Sequence, residues 1–335
     1  METKNFLKAA FVKTVKTTIN RCLAPGYDCE NKSIKAHSVQ KRKVLEILNT
    51  DGHVIMPQEK IINKGENFSV SFDKVGINDA TTFTGLCKIH DPVFFSPIDN
   101  FDIDLSNSQQ LFLITYRAVL KKFHSLARDA LQALKTYENL AMDEKNPYYD
   151  EEMLSNWTAM QHIKAFGAFR YKSKFDDIYL SHQYDMLKHK CFVFQHKKPT
   201  IAVSALYWLE MLKSDNSEPP GIAINVFPTL SETNIIISYL VEDTEYVNSE
   251  IESLVNPSLS SLKRRLCLLS EKIIGLSDNF VIAPAYWNSL SKQKRNTIVK
   301  YYQNTLISRA PYDGNVQDLY LFELADKYHS KQHSV

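Results

Sequence analysis

The chain has 335 residues, a hydrophobic fraction of 44%, a charged fraction of 23% and a formal net charge of +2. These values are ordinary for a globular protein, and so small a net charge does not by itself indicate a nucleic-acid partner. With only 9 glycines and neither a G-x-G-x-x-G nor a G-x-x-x-x-G-K-[ST] motif, the sequence argues against a glycine-rich nucleotide loop.

The first 104 residues are rich in turns and contain short predicted elements. We predict helices over residues 6–19 and 43–48 and strands over 33–39, 54–56 and 68–72. The first 45 residues hold 10 Lys and Arg side chains against 3 acidic ones. The basic residues are Lys4, Lys8, Lys13, Lys16, Arg21, Lys32, Lys35, Lys41, Arg42 and Lys43. Such a segment fits either a solvated surface or contacts with phosphates.

The middle of the chain is predicted to be helical. From Leu111 to Leu140, apolar residues recur every three or four positions, which fits one long amphipathic helix that Asn146-Pro147 ends. A second helix is predicted over residues 151–166. Residues 105–168 therefore read as a helical connector.

The C-terminal part, residues 169–330, is predicted to be α+β. Strands are expected at residues 190–195, 200–205, 221–227 and 234–240, and helices at 245–254, 259–274 and 290–306. The last residues, 329–335, are polar and are predicted to fray.

The sequence also predicts a cytoplasmic protein with no membrane partner. Its first residues lack a continuous apolar segment, and no run of 18 apolar residues occurs. Because disulfides are disfavoured in the cytoplasm, the 5 cysteines need another explanation. Cys191 and Cys267 stand in apolar runs and are predicted to be core thiols.

The other three cysteines have the pattern of a metal site. Zinc prefers four Cys or His ligands, usually from two knuckles, and Cys22, Cys29, Cys87 and His90 supply that number. The Cys87-x2-His90 spacing is standard, whereas Cys22-x6-Cys29 is longer than usual and relies on the turn at Pro25-Gly26. Two alternatives stay open: ordinary reduced cysteines beside a surface histidine, or His37 as a ligand in place of Cys29.

The order of these motifs resembles a known family. Two cysteines, then Ala36-His37-Ser38, then Leu86-Cys87-x-x-His90-Asp91 resemble the zinc-stabilised HNH-type, or His-Me finger, nuclease domain. Bacterial proteins that combine Ala-His-Ser, Asp-Gly-His and Cys-x-x-His-Asp are also similar. The resemblance implies an α+β fold: a zinc-stapled, treble-clef or HNH-like module in residues 1–104, the helical connector, and an α+β domain in residues 169–330.

The resemblance also implies roles for individual residues. His37 takes the place of the general base that activates the attacking water, and Asp91 that of a ligand to catalytic Mg²⁺ or Mn²⁺. His53 is a further candidate, and Asn31 or Asn78 is a candidate for orienting the base. The sequence departs from the family pattern at Ala36, where an acidic or His residue usually helps to bind the ion, and in lacking an identifiable Asn between the motifs.

Two functions from different classes follow. The first is a zinc-binding protein that interacts with DNA or RNA, acting as a metal-dependent HNH-like endonuclease, a hydrolase of bacterial antiviral defence. In it, residues 105–335 hold a protein partner or the substrate. The alternative is a non-catalytic, zinc-stapled binding or regulatory protein that acts through its C-terminal domain.

Overall fold

The structure is a computed structural model that describes residues 11, 19–26, 28–62, 67–141, 150–209, 219–307, 311–326 and 330–334. It is mixed α and β, with a two-stranded sheet near the N-terminus, an eight-stranded sheet and helices on both faces of the larger sheet. The predicted mixture of helix and strand is therefore confirmed. The helix predicted over residues 6–19 lies outside the described residues except for Phe11 and Ile19.

A small strand–strand–helix unit forms near the N-terminus. Strand β1 (Ser33–His37) pairs antiparallel with β4 (Thr82–Cys87), so that His37 lies opposite Thr82. Between the two strands, a π-helical turn (Lys41–Leu45) leads into the short helix α1 (Glu46–Leu48), close to the predicted helix. Helix α2 (His90–Asp99) follows β4. We call β1, β4, α2 and the loop before β1 the N-terminal unit.

Every strand pair of the eight-stranded sheet is antiparallel, and the order is β10-β5-β8-β7-β6-β9-β2-β3. The strands are β2 (His53–Ile62), β3 (Asn67–Gly76), β5 (Leu187–Gln195), β6 (Ile201–Trp208), β7 (Gly221–Pro228), β8 (Glu232–Leu240), β9 (Phe280–Ile282) and β10 (Ser330–Ser334). In β9, Ile282 pairs with Ile55 of β2 and with Ile201 of β6. It thereby joins the β2–β3 pair to the other strands of the sheet. The β2–β3 hairpin, from the first 104 residues, thus shares a sheet with the C-terminal strands.

The two faces of this sheet belong to different cores. In β8, Ile235 and Ile237 join a core with the C-terminal helices, whereas Ile236 joins a core with the N-terminal unit. This alternation follows from the two-residue period of a strand, which sends successive side chains to opposite faces. The sheet is therefore the middle of three layers.

Two long helices cover the face that carries Ile236. They are α3 (Ser108–Ala141) and α4 (Glu151–Ser181). The Asp150 side chain caps α4 by accepting the Met153 N–H at 3.0 Å, and His182 ends the helix in the left-handed region with φ 56°. The sequence predicted α4 to end at residue 166. It continues past the predicted division at residue 168 because Tyr171, Phe175 and Ile178 keep the helical spacing and pack into this core.

On the other face pack the helices α5 (Thr244–Val255), α6 (Leu262–Leu276), α7 (Pro284–Ser289) and α8 (Lys292–Ile307), together with Leu48 of α1. Short 3₁₀ turns span Tyr184–Met186, Val241–Asp243 and Val316–Leu319. The prediction that residues 329–335 fray is wrong, since Ser330–Ser334 forms β10 along β5. Backbone pairing at a sheet edge does not require apolar side chains, so the polar sequence gave no indication of this strand.

Candidate metal centre

The first pair of predicted ligands lies in the loop before β1. Pro25 and Gly26 form a turn, and the φ of +86° at Gly26 is one that glycine adopts without strain. The loop closes through the Cys22 N–H, which donates to the Asn31 carbonyl at 3.2 Å. This turn offsets the long spacer and brings Cys29 back beside Cys22.

The second pair lies where β4 meets α2. Cys87 is the last residue of β4, and His90 is the first of α2. The His90 N–H lies 3.4 Å from the Cys87 Sγ, and the Cys87 N–H donates to the Cys22 Sγ at 3.2 Å. The Leu23 N–H also donates to the Gly85 carbonyl at 2.9 Å, so backbone contacts fix the two pairs against each other.

These four side chains converge. The Sγ atoms of Cys22, Cys29 and Cys87 and a ring nitrogen of His90 all lie within 4.8 Å of one another. The His90 Nδ1 is 3.4 Å from the Cys22 Sγ and 3.6 Å from the Cys87 Sγ, and the Cys29 and Cys87 Sγ atoms are 3.9 Å apart. All three thiols are free. The cluster is arranged so that it can hold a metal ion.

Cys22 and Cys87 are the two most enclosed thiols of the cluster, both 0% exposed. Burial and hydrogen bonding shift their pKa values in different directions. Burial raises the pKa of Cys22 to about 11. Burial also opposes ionisation of Cys87, but the N–H groups of His90 and Ile89 and the neighbouring thiols outweigh it and lower the pKa of Cys87. Cys87 is therefore the thiol of this pair that ionises first.

A buried ion pair lies close to the cluster. The Lys172 Nζ contacts the Asp176 Oδ2 at 2.6 Å within α4, and the Tyr116 hydroxyl of α3 donates to the Asp176 Oδ1 at 2.5 Å. Burial lowers the pKa of Lys172, and the Asp176 carboxylate acts against that shift, as does Cys22 when its thiol is ionised. The sequence analysis missed this network. The Lys172–Asp176 spacing of four residues on a helix was its only signal.

His37 lies at the end of β1, half-buried. Its Nε2 is 2.8 Å from the carbonyl oxygen of Ile77. A carbonyl only accepts, so Nε2 carries the proton and Nδ1 is the basic nitrogen of the neutral ring. Burial lowers the pKa of His37, and the charges of Lys41 and Lys35 add to the shift, whereas the Ile77 carbonyl opposes it.

Asp91 is the second residue of α2 and is also half-buried. Burial raises the pKa of Asp91, and the charge of Arg117 acts against that shift. The same guanidinium lowers the pKa of His37, so both predicted catalytic side chains lie in the electrostatic range of Arg117. Within the described ranges, however, the one metal-type group of three or more side chains is the Cys₃His cluster, and neither His37 nor Asp91 belongs to it.

The other candidates for the catalytic site have different contacts. His37 is bonded to the Ile77 carbonyl rather than to the Asn31 or Asn78 side chain, and the Asn31 Nδ2 lies 3.5 Å from the Cys29 Sγ. The exposed His53 contacts the Asp51 carbonyl through Nδ1 at 2.7 Å. Neither Asn31 nor Asn78 is therefore the hydrogen-bond partner of the His37 Nε2. Backbone carbonyls have no sequence signature, so the partner of His37 could not be found from the motif.

Cys191 and Cys267 are buried, as predicted, at 0% and 2% exposed, and neither belongs to the Cys₃His cluster. No helix in the described part of the chain combines the length and the apolar composition needed to cross a bilayer.

Comparison of the chain with protein-family models, with curated proteins and with solved structures gives no match.

Proposed function

We propose that the chain is a zinc-binding protein whose N-terminal unit interacts with nucleic acid and acts as an HNH-like, metal-dependent endonuclease. The observation that carries the catalytic part is the contact between His37 and Ile77. It places a neutral imidazole, with Nδ1 as its basic nitrogen, at the end of a strand that pairs with the strand bearing Cys87.

The distances in the cluster favour zinc. With Zn–S bonds of about 2.3 Å and Zn–N bonds of about 2.0–2.1 Å, a tetrahedral site places two sulfurs about 3.8 Å apart and a sulfur and a nitrogen about 3.6 Å apart. Three of the six separations here are 3.9 Å for Cys29–Cys87, 3.4 Å for Cys22–His90 and 3.6 Å for Cys87–His90, and all six lie within 4.8 Å. These three separations are close to those of a tetrahedral zinc site.

The types of ligand also favour zinc. Thiolate and imidazole ligands suit zinc and other soft or borderline metals, whereas Mg²⁺ and Ca²⁺ prefer oxygen. Four protein ligands leave no position for water, which is typical of structural rather than catalytic zinc. The N–H groups of Cys87 and His90 that point at sulfur would hold the thiolates in place, as second-shell groups do in metal sites. Zinc here would fasten the loop to β4 and α2.

In the catalytic role, His37 would take the proton of the attacking water. Its pKa is lowered, so the ring is neutral at pH 7 and able to accept that proton. Asp91 would supply a carboxylate ligand to a Mg²⁺ or Mn²⁺ ion, which would polarise the scissile phosphate.

Nucleic-acid contact rests on the cations around this unit. Lys32 and Lys88 are exposed on it, and Arg42 is exposed on the π-helical turn that follows β1. Lys35 pairs with Asp79, and Lys43 with Asp102 at 3.2 Å. Lys4, Lys8, Lys13 and Lys16 lie outside the described residues. Lysine and arginine contacts of this kind bind phosphates of DNA or RNA without reading sequence.

A second candidate function is a non-catalytic zinc-stapled protein that binds or regulates through its C-terminal part. Two observations favour it. Ala36 has no side chain that can bind an ion, and His37 and Asp91 belong to no second metal-type group in the described ranges. Under this candidate function the protein binds zinc but does not cleave nucleic acid.

Cleavage and binding assays on the zinc-loaded protein distinguish the nuclease proposal from the non-catalytic candidate function. Supercoiled plasmid and single-stranded RNA are incubated with Mg²⁺ or Mn²⁺ and the wild type, His37→Ala or His53→Ala. The nuclease proposal predicts cleavage that His37→Ala abolishes without a change in Tm, and that His53→Ala retains. Nucleic-acid binding without cleavage supports the non-catalytic candidate, and absence of both contradicts the nucleic-acid role altogether.

A further inference from the structure

A small cavity lies between the N-terminal unit, α3 and the eight-stranded sheet. Its volume is about 40 Å³. The polar side chains in its wall are Ser38, Gln40, Arg117, Ser204 and Asn225. The rest of the wall is mostly aliphatic, so these few polar groups decide what the cavity can bind.

Ser204 and Asn225 form its floor. They are direct cross-strand partners on β6 and β7, and they are 4% and 2% exposed. The Ser204 Oγ and the Asn225 Nδ2 are buried and have no hydrogen-bond partner among the residues that the structure describes. Buried donors without an acceptor are rare in folded proteins, because burial removes the water that would otherwise bind them. Here the two donors lie side by side in the wall of a cavity, where one bound acceptor can satisfy both.

Arg117 is the charged side chain of the cavity wall. It is 5% exposed and holds Asp99 through two bonds, Nη1 to Oδ1 at 2.9 Å and Nη2 to Oδ2 at 2.7 Å. The Gln40 Nε2 also lies 3.3 Å from the same carboxylate, so Asp99 is fixed and its charge is compensated. A guanidinium has five N–H donors, and Asp99 takes two of them.

The lining therefore has more donors than acceptors. The Ser38 hydroxyl donates to the Thr81 carbonyl and accepts from the Asn279 Nδ2, both at 2.8 Å, so it is already satisfied. Two donors of the wall, the Ser204 hydroxyl and the Asn225 amide, have no partner among the described residues, and Arg117 lines the wall beside them. A ligand here has to bring acceptor oxygens, and the N–H groups of Arg117 that Asp99 does not take favour a negatively charged one.

We propose that this cavity is a binding pocket for a small free oxyanion, a phosphate or a carboxylate. A water molecule needs about 10–15 Å³ on this scale, so the cavity has room for about three waters, or one oxyanion of a few heavy atoms, and is too small for a nucleobase. The pocket involves none of the zinc ligands and does not depend on nuclease activity. Because Ser38 directly follows His37, a bound anion ties the end of β1 to β6 and β7.

Thermal unfolding of the full chain tests the pocket. The wild type, Ser204→Ala and Asn225→Leu are titrated with inorganic phosphate, acetate or chloride at constant ionic strength. Thr158→Val is the matched control, since the Thr158 Oγ1 is likewise buried with no partner in the described ranges but lies on α4, outside the cavity wall. The phosphate and acetate arms identify the preferred anion, and chloride reports general salt effects.

The pocket predicts a saturable rise in Tm with phosphate or acetate and not with chloride. Loss of one hydrogen bond to a charged ligand should weaken binding about tenfold in Ser204→Ala and in Asn225→Leu, and Thr158→Val should match the wild type. If Asn225→Leu does not fold, Ser204→Ala still decides, because the hydroxyl that it removes has no partner in the described part of the protein. No saturable rise, an equal rise in every variant, or a crystal structure from phosphate and acetate with only ordered water in the cavity overturns the proposal.

Discussion

The Cys87 N–H donates to the Cys22 Sγ across 3.2 Å, although 64 residues separate the two cysteines in the sequence. This contact aligns the end of β4 with the loop that carries the first two thiols. Hydrogen bonds to sulfur stabilise a thiolate more than a thiol. The backbone therefore presents N–H donors to the sulfurs, which is the arrangement that steadies thiolate ligands in metal sites.

The buried pair beside the cluster should be important for stability. The Lys172 and Asp176 side chains are 0% and 6% exposed. Asp176→Asn takes away the negative charge opposite a buried ammonium, and we expect a loss of about 3–5 kcal/mol in the free energy of unfolding. Urea denaturation measures this loss.

Glu242→Gln is the matched control for that variant. It removes the partner of Lys174, but those side chains are 49% and 35% exposed, so the loss should stay below about 1 kcal/mol. Equal losses in Asp176→Asn and Glu242→Gln would show that burial of the Lys172–Asp176 pair has no special effect.

Acid should destabilise the protein through His189. This side chain is 1% exposed in β5, its Nδ1 is 2.8 Å from the Ser238 Oγ, and burial lowers its pKa to about 4. Between pH 6.5 and 4 the unfolded chain binds a proton at this site that the folded chain does not, so stability falls as pH falls through this range. From pH 7 to pH 5 the loss from this one group is about 2 kcal/mol.

His189→Gln removes this titration. Urea denaturation at pH 7 and pH 5 should show that the variant loses about 2 kcal/mol less than the wild type between the two values. The same loss in both proteins would mean that His189 is not buried in the neutral form.

Nuclease activity, if His37 is the base, should depend on pH in a defined direction. The base works unprotonated, and its pKa lies below the ordinary histidine value of about 6.5. Activity should be constant from neutral pH down to the lowered pKa, and then fall about tenfold per pH unit. A pH profile of single-turnover cleavage, with zinc content checked at each pH, gives the midpoint. A midpoint above 6.5 would contradict a buried neutral His37.

Much of the fold was readable from local patterns. The apolar run of β8 identified a strand, and a strand covered on both faces needs apolar residues at every position. The three residues of β9 are too few for a periodic signal, and yet Ile282 links Ile55 to Ile201 and so decides that there is one large sheet. Such long-range pairing has no local signature.

The site was predictable to the same degree. The cysteine and histidine spacing singled out the four side chains that converge, because few residue types bind zinc. The contacts around them were not predictable. Tyr116 meets Asp176 only because α3 packs on α4, and Ser204 meets Asn225 only through the register of β6 and β7. These contacts depend on tertiary packing rather than on a motif.

Elemental mass spectrometry of the purified protein tests the central claim most directly. Cys87→Ser removes a ligand, and Cys191→Ala removes a buried thiol outside the cluster. We expect one zinc ion per chain in the wild type and in Cys191→Ala, and none in Cys87→Ser, together with a lower Tm. A wild type without zinc, alongside a Cys87→Ser variant of unchanged Tm, would contradict a zinc centre in this protein.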